Sequence, residues 1–194
     1  NNAVSNVILI SANNVTVSCL EIKNATGDAV TSVNANPQKT GVVVKNNIVH
    51  NAGDEGIQLK RTDGAIIQYN HVYSTTGDGI NISENTTNGQ ILDNKVHDSS
   101  SGDGAIYMYS ATNTTVQGNL LYNVAGNDAI KMGNKSGADI ALAGGVIAEN
   151  IIVTGSQDAV SVYMSGVEVW GNKIKNSNSA QGAIYVRGGN SNVN

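Results

Sequence analysis

Seven residues fall at matching places in a series of short alternating segments: Lys60, Tyr107, Tyr109, Lys131, Tyr163, Tyr185 and Arg187. The segments follow Gly/Asp turns, as in Gly53-Asp54-Glu55-Gly56-Ile57-Gln58-Leu59, Gly77-Asp78-Gly79-Ile80-Asn81-Ile82 and Gly102-Asp103-Gly104-Ala105-Ile106-Tyr107-Met108. With Ile and Leu turned inward, the residues between them point outward. The first outward column then reads Gln58, Asn81, Tyr107, Lys131, Ser161 and Tyr185, and the second Lys60, Ser83, Tyr109, Gly133, Tyr163 and Arg187. Four of the seven Tyr and three of the eleven basic residues lie in this strip, on a chain of net charge -4. Tyr offers a flat apolar face with a hydroxyl, and Lys and Arg grip carboxylates or sulfates. The strip therefore predicts ligand-binding residues for an acidic polysaccharide. Lys131, Tyr163 and Arg187 are also the candidates for charge neutralisation and proton transfer.

The turns supply a second set. Asp28, Glu55, Asp78, Asp128 and Asp158 form an acidic column, with Asp54 and Asp103 one residue offset. Stacked carboxylates repel unless they are paired, hydrated or bridged by a cation. Asp78, Asp103 and Asp128 are thus candidate ligands for Ca2+, which takes six to eight oxygens. The competing expectation is that each Asp caps its own turn. His71 and His97 read as surface residues able to act as bases. Cys19, in Val17-Ser18-Cys19-Leu20, reads as a small core residue, and a single cysteine excludes an internal disulfide framework.

What positions these residues is a repeat. Asn46, Asn70, Asn94, Asn119, Asn150 and Asn172 are each followed two residues later by an apolar residue, at spacings of 24, 24, 25, 31 and 22. A unit near 24 residues cannot bury its apolar face alone, whereas stacked units can. Leu59, Ile82, Met108, Met132, Val162 and Val186 form one interior column, and Val43, Ile67, Ile91, Val116, Ile147 and Val169 another, three residues before each Asn. Stacked Asn amides would hydrogen-bond along the axis and to backbone groups exposed inside the turn. Leu20 occupies the equivalent place in the first coil, so the ladder is expected to begin at Asn46. Helical periodicity is confined to a short stretch at 138–143, and the L-x-x-L-x-L pattern of a leucine-rich repeat is absent. The chain holds 194 residues, 28 Asn, 22 Gly, one Pro and no Phe, which suits many small, similar layers rather than one large core.

This pattern resembles the right-handed parallel β-helix of pectate lyases and related polysaccharide lyases and C5-epimerases. The resemblance runs from about Val7 to Val193. It implies an all-β solenoid of about seven to eight coils, about 35 Å long at about 4.8 Å per coil. It also implies a substrate lying along an outer face. Lyases and epimerases neutralise a uronate carboxylate, abstract the C5 proton and deliver another. Lys131, Tyr107, Tyr163 and Arg187 offer the groups for this. The Asp-Pro-His of alginate epimerases is absent, and so is the Gly-His-Gly of polygalacturonases. Gly126-Asn127-Asp128-Ala129-Ile130 matches the Gly-Asp-Asp-x-Ile of polygalacturonases except for Asn at the first carboxylate.

The expectation is a single β-helix domain over 1–194, as a segment of a longer protein, since neither end shows the cap usual in the family. It would be secreted or at the cell surface and would bind, and cleave or epimerise, an acidic polysaccharide. A non-catalytic stalk, adhesin, surface-layer or filament subunit, associating end to end, is the alternative. Net charge argues against nucleic acid as a partner, and no apolar stretch is long enough for a transmembrane helix. Inserted residues at 133–145 and 34–40 are expected to wall a groove.

Overall fold

The structure, a computed structural model, describes residues 4–100, 102–125, 128–133, 143–153, 157–175, 182–187 and 192–193. Each coil contributes one strand to each of three sheets. One such coil runs Ile57–Lys60, Ile66–Gln68 and His71–Thr75; the next runs Ile80–Ser83, Gln90–Leu92 and Lys95–Ser99. The first and second sheets have eight strands and the third has seven, and each strand pairs with its counterparts one coil before and after. The pairings are parallel throughout, as the solenoid requires.

Register follows the repeat. Ile82 pairs with Leu59 and Met108, Met132 with Met108 and Val162, and Val162 with Val186. Leu59, Ile82, Met108 and Val162 are wholly buried, and Val186 packs half-buried against them. The second column is Ile67, Ile91, Val116, Ile147 and Val169, all buried, but its first member is Val44 rather than Val43. Each coil buries only a few medium-sized side chains. The core is therefore a stack of thin layers, which explains how it forms without Phe.

The Asn ladder corners the chain between the second and third sheets. Asn94 Oδ1 accepts the Asn70 backbone N–H at 2.9 Å and its Nδ2 at 3.0 Å, while Asn94 Nδ2 donates to the Ile67 carbonyl at 2.9 Å. The same set recurs at Asn47, Asn119 and Asn150. The ladder begins at Asn47, one residue after the expected Asn46. Leu20 does hold the equivalent place in the coil before, its N–H donating to Asn47 Oδ1 at 3.1 Å.

The residue preceding each ladder position is left-handed: Cys19, Asn46, Tyr69, Asp93 and Glu149 have φ between 51° and 59°, and Gly118 and Gly171 join them at 70° and 66°. That conformation turns the chain sharply and aims the next amide inward. Cys19 therefore lies exposed on the corner, not in the core.

The insertion at 34–40 ends in a strand of a separate two-stranded sheet. Lys39–Thr40 pairs with Thr62–Asp63, and Arg61 donates to Asn34 Oδ1 at 2.5 Å and to Asn36 Oδ1 at 3.3 Å. Most of the insertion at 133–145, with the stretch 138–142, lies outside the described residues; from Ala143 to Ala148 the chain is strand. No helix among the described residues is long and apolar enough to cross a membrane.

Candidate functional site

The two outward columns stand in the expected register. Gln58, Asn81, Tyr107, Lys131, Ser161 and Tyr185 are successive partners on the first sheet. The Tyr109, Gly133, Tyr163 and Arg187 amides donate to Ile82, Met108, Met132 and Val162 carbonyls of the preceding coil, which places the second column beside the first. The strip is not the open surface the alternation suggests. Tyr107, Lys131 and Tyr163 are buried, Lys60, Tyr109 and Tyr185 half-buried, and only Arg187 of the seven is exposed. The acidic turns fold back over the strands they precede.

That fold-back has a simple local cause. The turn breaks the strand's alternation, so the carboxylate at its end can reach the outward residue three places on. Gln58 Nε2 thus donates to Glu55 Oε1 at 3.2 Å, Asn81 Nδ2 to Asp78 Oδ2 at 2.7 Å, and Ser161 Oγ to Asp158 Oδ2 at 3.1 Å. Between coils, the Gly104 amide donates to Asp78 Oδ1 at 3.0 Å and the Asp158 amide to Asp128 Oδ1 at 3.1 Å. These carboxylates therefore bond to the strand that follows and to the backbone of the next coil rather than each to the amides of its own turn.

The same burial makes several of these groups harder to ionise. Burial, then hydrogen bonding with Asp28 and the charges of Asp28 and Asp54, pushes Glu55 up to about 9. Burial pushes Asp78 up to about 6, against the opposing hydrogen bonds from Asn81 and Gly104. Burial also raises Asp128, and it raises the Tyr163 phenol with help from the charge on Asp128.

Asp54, Glu55, Asp78, Asn81, Asp103 and Tyr107, with Gly77 and Gly102, line a cleft of about 320 Å³ running across three coils. The glycines make the room: a Cβ on Gly77 would stand 2.8 Å from Asp54 Oδ1, and one on Gly102 would collide with Asp78. At the edge of the cleft, Lys131 Nζ meets Asp103 Oδ1 at 2.5 Å. The ammonium lies 5.0 Å from the Tyr107 ring centre and 6.0 Å from that of Tyr163, within range for a cation–π contact. The structure thus gathers Tyr107, Lys131 and Tyr163. Lys60 lies three strands from Lys131 and Arg187 two strands beyond it, so neither joins this group.

Two features were missed by reading along the chain. Asp54 and Glu55 were visible in the acidic column, but their place inside the cleft follows from the turn folding back. Of the expected calcium candidates, Asp78 and Asp128 accept backbone amides of the next coil and Asp103 pairs with Lys131. Among the described residues, the three carboxyls that could share one cation are Asp28, Asp54 and Glu55, whose oxygens lie within 4.8 Å of one another.

The chain belongs to the right-handed β-helix family, whose right-handed β-helix region matches residues 1–141. It is similar in fold to the catalytic unit of a thermostable GH87 α-1,3-glucanase from Streptomyces thermodiastaticus, with a TM-score of 0.66 and 14% identity over 96% of this chain and 46% of that one. It is also similar to the A-module of the Azotobacter vinelandii mannuronan C-5 epimerase AlgE4 (TM-score 0.54, 11% identity, 93% of this chain and 64% of that). A third likeness is to the Agl-KA catalytic domain (TM-score 0.54, 9% identity, 95% and 54%). The chain spans about half to two thirds of the length of these structures. No curated protein sequence matches it.

Proposed function

We propose that this chain is the β-helix part of a polysaccharide-cleaving protein, with the cleft over the first sheet as the glycan site. The observation that carries the reading is that three successive coils deliver Asp54 and Glu55, Asp78 and Asp103 into one cleft beside Tyr107. Glycoside hydrolysis needs one carboxyl that holds a proton and another that is ionised, one to protonate the leaving oxygen and the other to activate water or attack the sugar. Glu55, pushed up to about 9, keeps its proton at neutral pH and is the acid. Asp78, at about 6, is mostly ionised there and is the base or nucleophile. Glu55 and Asp78 precede adjacent strands, whose spacing of about 4.8 Å is near the short separation of a retaining pair. Tyr107, buried beneath the Lys131 ammonium, forms part of the cleft wall.

The charge of the cleft bears on the substrate. Four carboxyls face one ammonium, and that ammonium is already paired. An uncharged glucan-type chain suits this better than the polyuronate suggested by the Tyr and Lys strip. Structures of this fold include enzymes named for each kind, a glucanase and a mannuronan epimerase.

The test is turnover on both kinds of polymer. Reducing ends released from an α-1,3-glucan, without 235 nm absorbance from polyuronates, are the expected result. Glu55→Gln and Asp78→Asn should each cut the rate by about 10²–10⁴, the usual worth of a general acid or base. Unsaturated ends from a polyuronate would move the reading to a lyase, and no turnover with no binding would move it to the structural stalk.

A further inference from the structure

All three histidines of the chain lie on the outer face of the third sheet, whose strands lead into the turns that line the cleft. Here His50, Tyr73, His97 and Tyr122 follow one another across consecutive coils. Their rings stack with centres 4.8, 5.2 and 4.4 Å apart and planes within 13° of parallel. His97 is therefore clamped on both faces. Its edge is fixed as well, because Nδ1 lies 2.7 Å from Asp98 Oδ2. A carboxylate only accepts, so Nδ1 carries the proton and the Nε2 lone pair is left facing outward from the pair. It accepts from His71 Nε2–H at 2.8 Å, so ligation of a metal ion by both nitrogens requires His71 to carry its proton on Nδ1 instead.

We propose that His71 and His97 form a site for a divalent transition-metal ion of the zinc and copper kind. Imidazole is the ligand such ions favour. A ligating histidine characteristically donates its other N–H to a carboxylate, which is what Asp98 provides for His97. The spacing fits: two imidazoles on a tetrahedral ion with bonds of 2.0–2.1 Å have ring centres about 5.2 Å apart. The His71 and His97 ring centres are 5.0 Å apart, with planes tilted by 40°. The two Nε2 atoms now point almost straight at each other, so an ion enters only when His71, the ring that is not held by stacking on both faces and a carboxylate, swings until the two nitrogen axes meet at about the tetrahedral angle. Lys95, the cation nearest in register to His71, reaches instead over Tyr122, 5.5 Å from its ring centre. Both rings are half-buried, which leaves their outer edge to water, and water completes the coordination. The site does not depend on the proposed glycan cleft.

Calorimetric titration of the whole chain with Zn2+ alone tests this, followed by imidazole nitrogen NMR. The expected result is one equivalent bound, with the Nε2 resonances of His71 and His97 shifting together. His71→Ala and His97→Ala should each weaken binding by at least tenfold. Asp98→Asn should weaken it by about 10–100-fold, as loss of an outer hydrogen-bond partner does. Melting of each variant without metal shows whether it is folded, and Ca2+ at millimolar concentration should not compete. Absence of saturable binding, or binding that survives in the folded double alanine variant, would overturn the proposal.

Discussion

Lys131 reaches back one coil to Asp103, Nζ to Oδ1 at 2.5 Å, and so neutralises one of the four carboxyls of the cleft. The lysine side chain is 8% exposed and the aspartate 57%. Removing the ammonium therefore leaves a carboxylate that water can reach, not a buried orphan charge.

Lys131→Met is accordingly expected to cost little stability, about 1 kcal/mol or less, because a pair with one solvated partner is worth little. Its effect should fall on the cleft. With no cation beside Asp103, substrate binding should weaken while kcat stays within a fewfold of the parent. Steady-state kinetics alongside urea unfolding separates the two, and a loss confined to kcat would show that Lys131 takes part in proton transfer.

Stability should fall as pH rises. Glu55 and Asp78 have folded-state values raised to about 9 and about 6, above the ordinary 4.5 and 3.8. A group whose folded value is raised stabilises the fold below its unfolded value and loses that contribution as pH climbs through the folded one. The window runs from about 4 to about 9. Melting temperature should drop across it. Glu55→Gln should flatten the upper half of the curve. An unchanged slope in that variant would place the titrating group elsewhere.

Asn94→Ala should be among the more damaging single changes. It strips the Asn70 N–H and the Ile67 carbonyl of partners in a wholly buried corner. Each orphaned buried group costs about 1–3 kcal/mol, so a loss of roughly 2–4 kcal/mol is expected in urea unfolding. Asn46→Ala, one residue outside the ladder, should cost clearly less.

Gly79 tests how closely the coils approach. A Cβ there would meet the Ala105 carbonyl oxygen at 2.8 Å and collide with Val96. Gly79→Ala should destabilise by about 1–3 kcal/mol through overpacking. Gly64, with φ of +66° and nothing within 4 Å of its Cβ position, should accept Asn, a residue that tolerates the left-handed region, within about 0.5 kcal/mol.

The solenoid was legible because its period is written in residue types. Gly/Asp turns, alternating apolar residues and recurring Asn fixed the three faces and nearly every register pairing. The one slip has a physical origin. Asn46-Asn47 satisfies the Asn-x-apolar rule in either register, with Ile48 or with Val49, and only the left-handed turn at Asn46 decides between them. The same one-residue shift hid His50, which turns outward above Tyr73. Cys19 looked apolar by its neighbours, but its place is set by the corner. The outward columns were in view; their burial was not. Whether an outward side chain meets water depends on how the turn before it folds, and alternation along a strand carries no information about that. For the same reason Lys131 read as a free cation, although its partner Asp103 lies 28 residues earlier.

The most direct test of the cleft is a crystal structure of the Glu55→Gln chain soaked with an α-1,3-linked gluco-oligosaccharide. Sugar rings running across the coils of Glu55, Asp78 and Asp103, with a glycosidic oxygen beside residue 55, are the predicted result. Sugar bound on another face, or a cleft that stays empty at saturating oligosaccharide, would contradict the account.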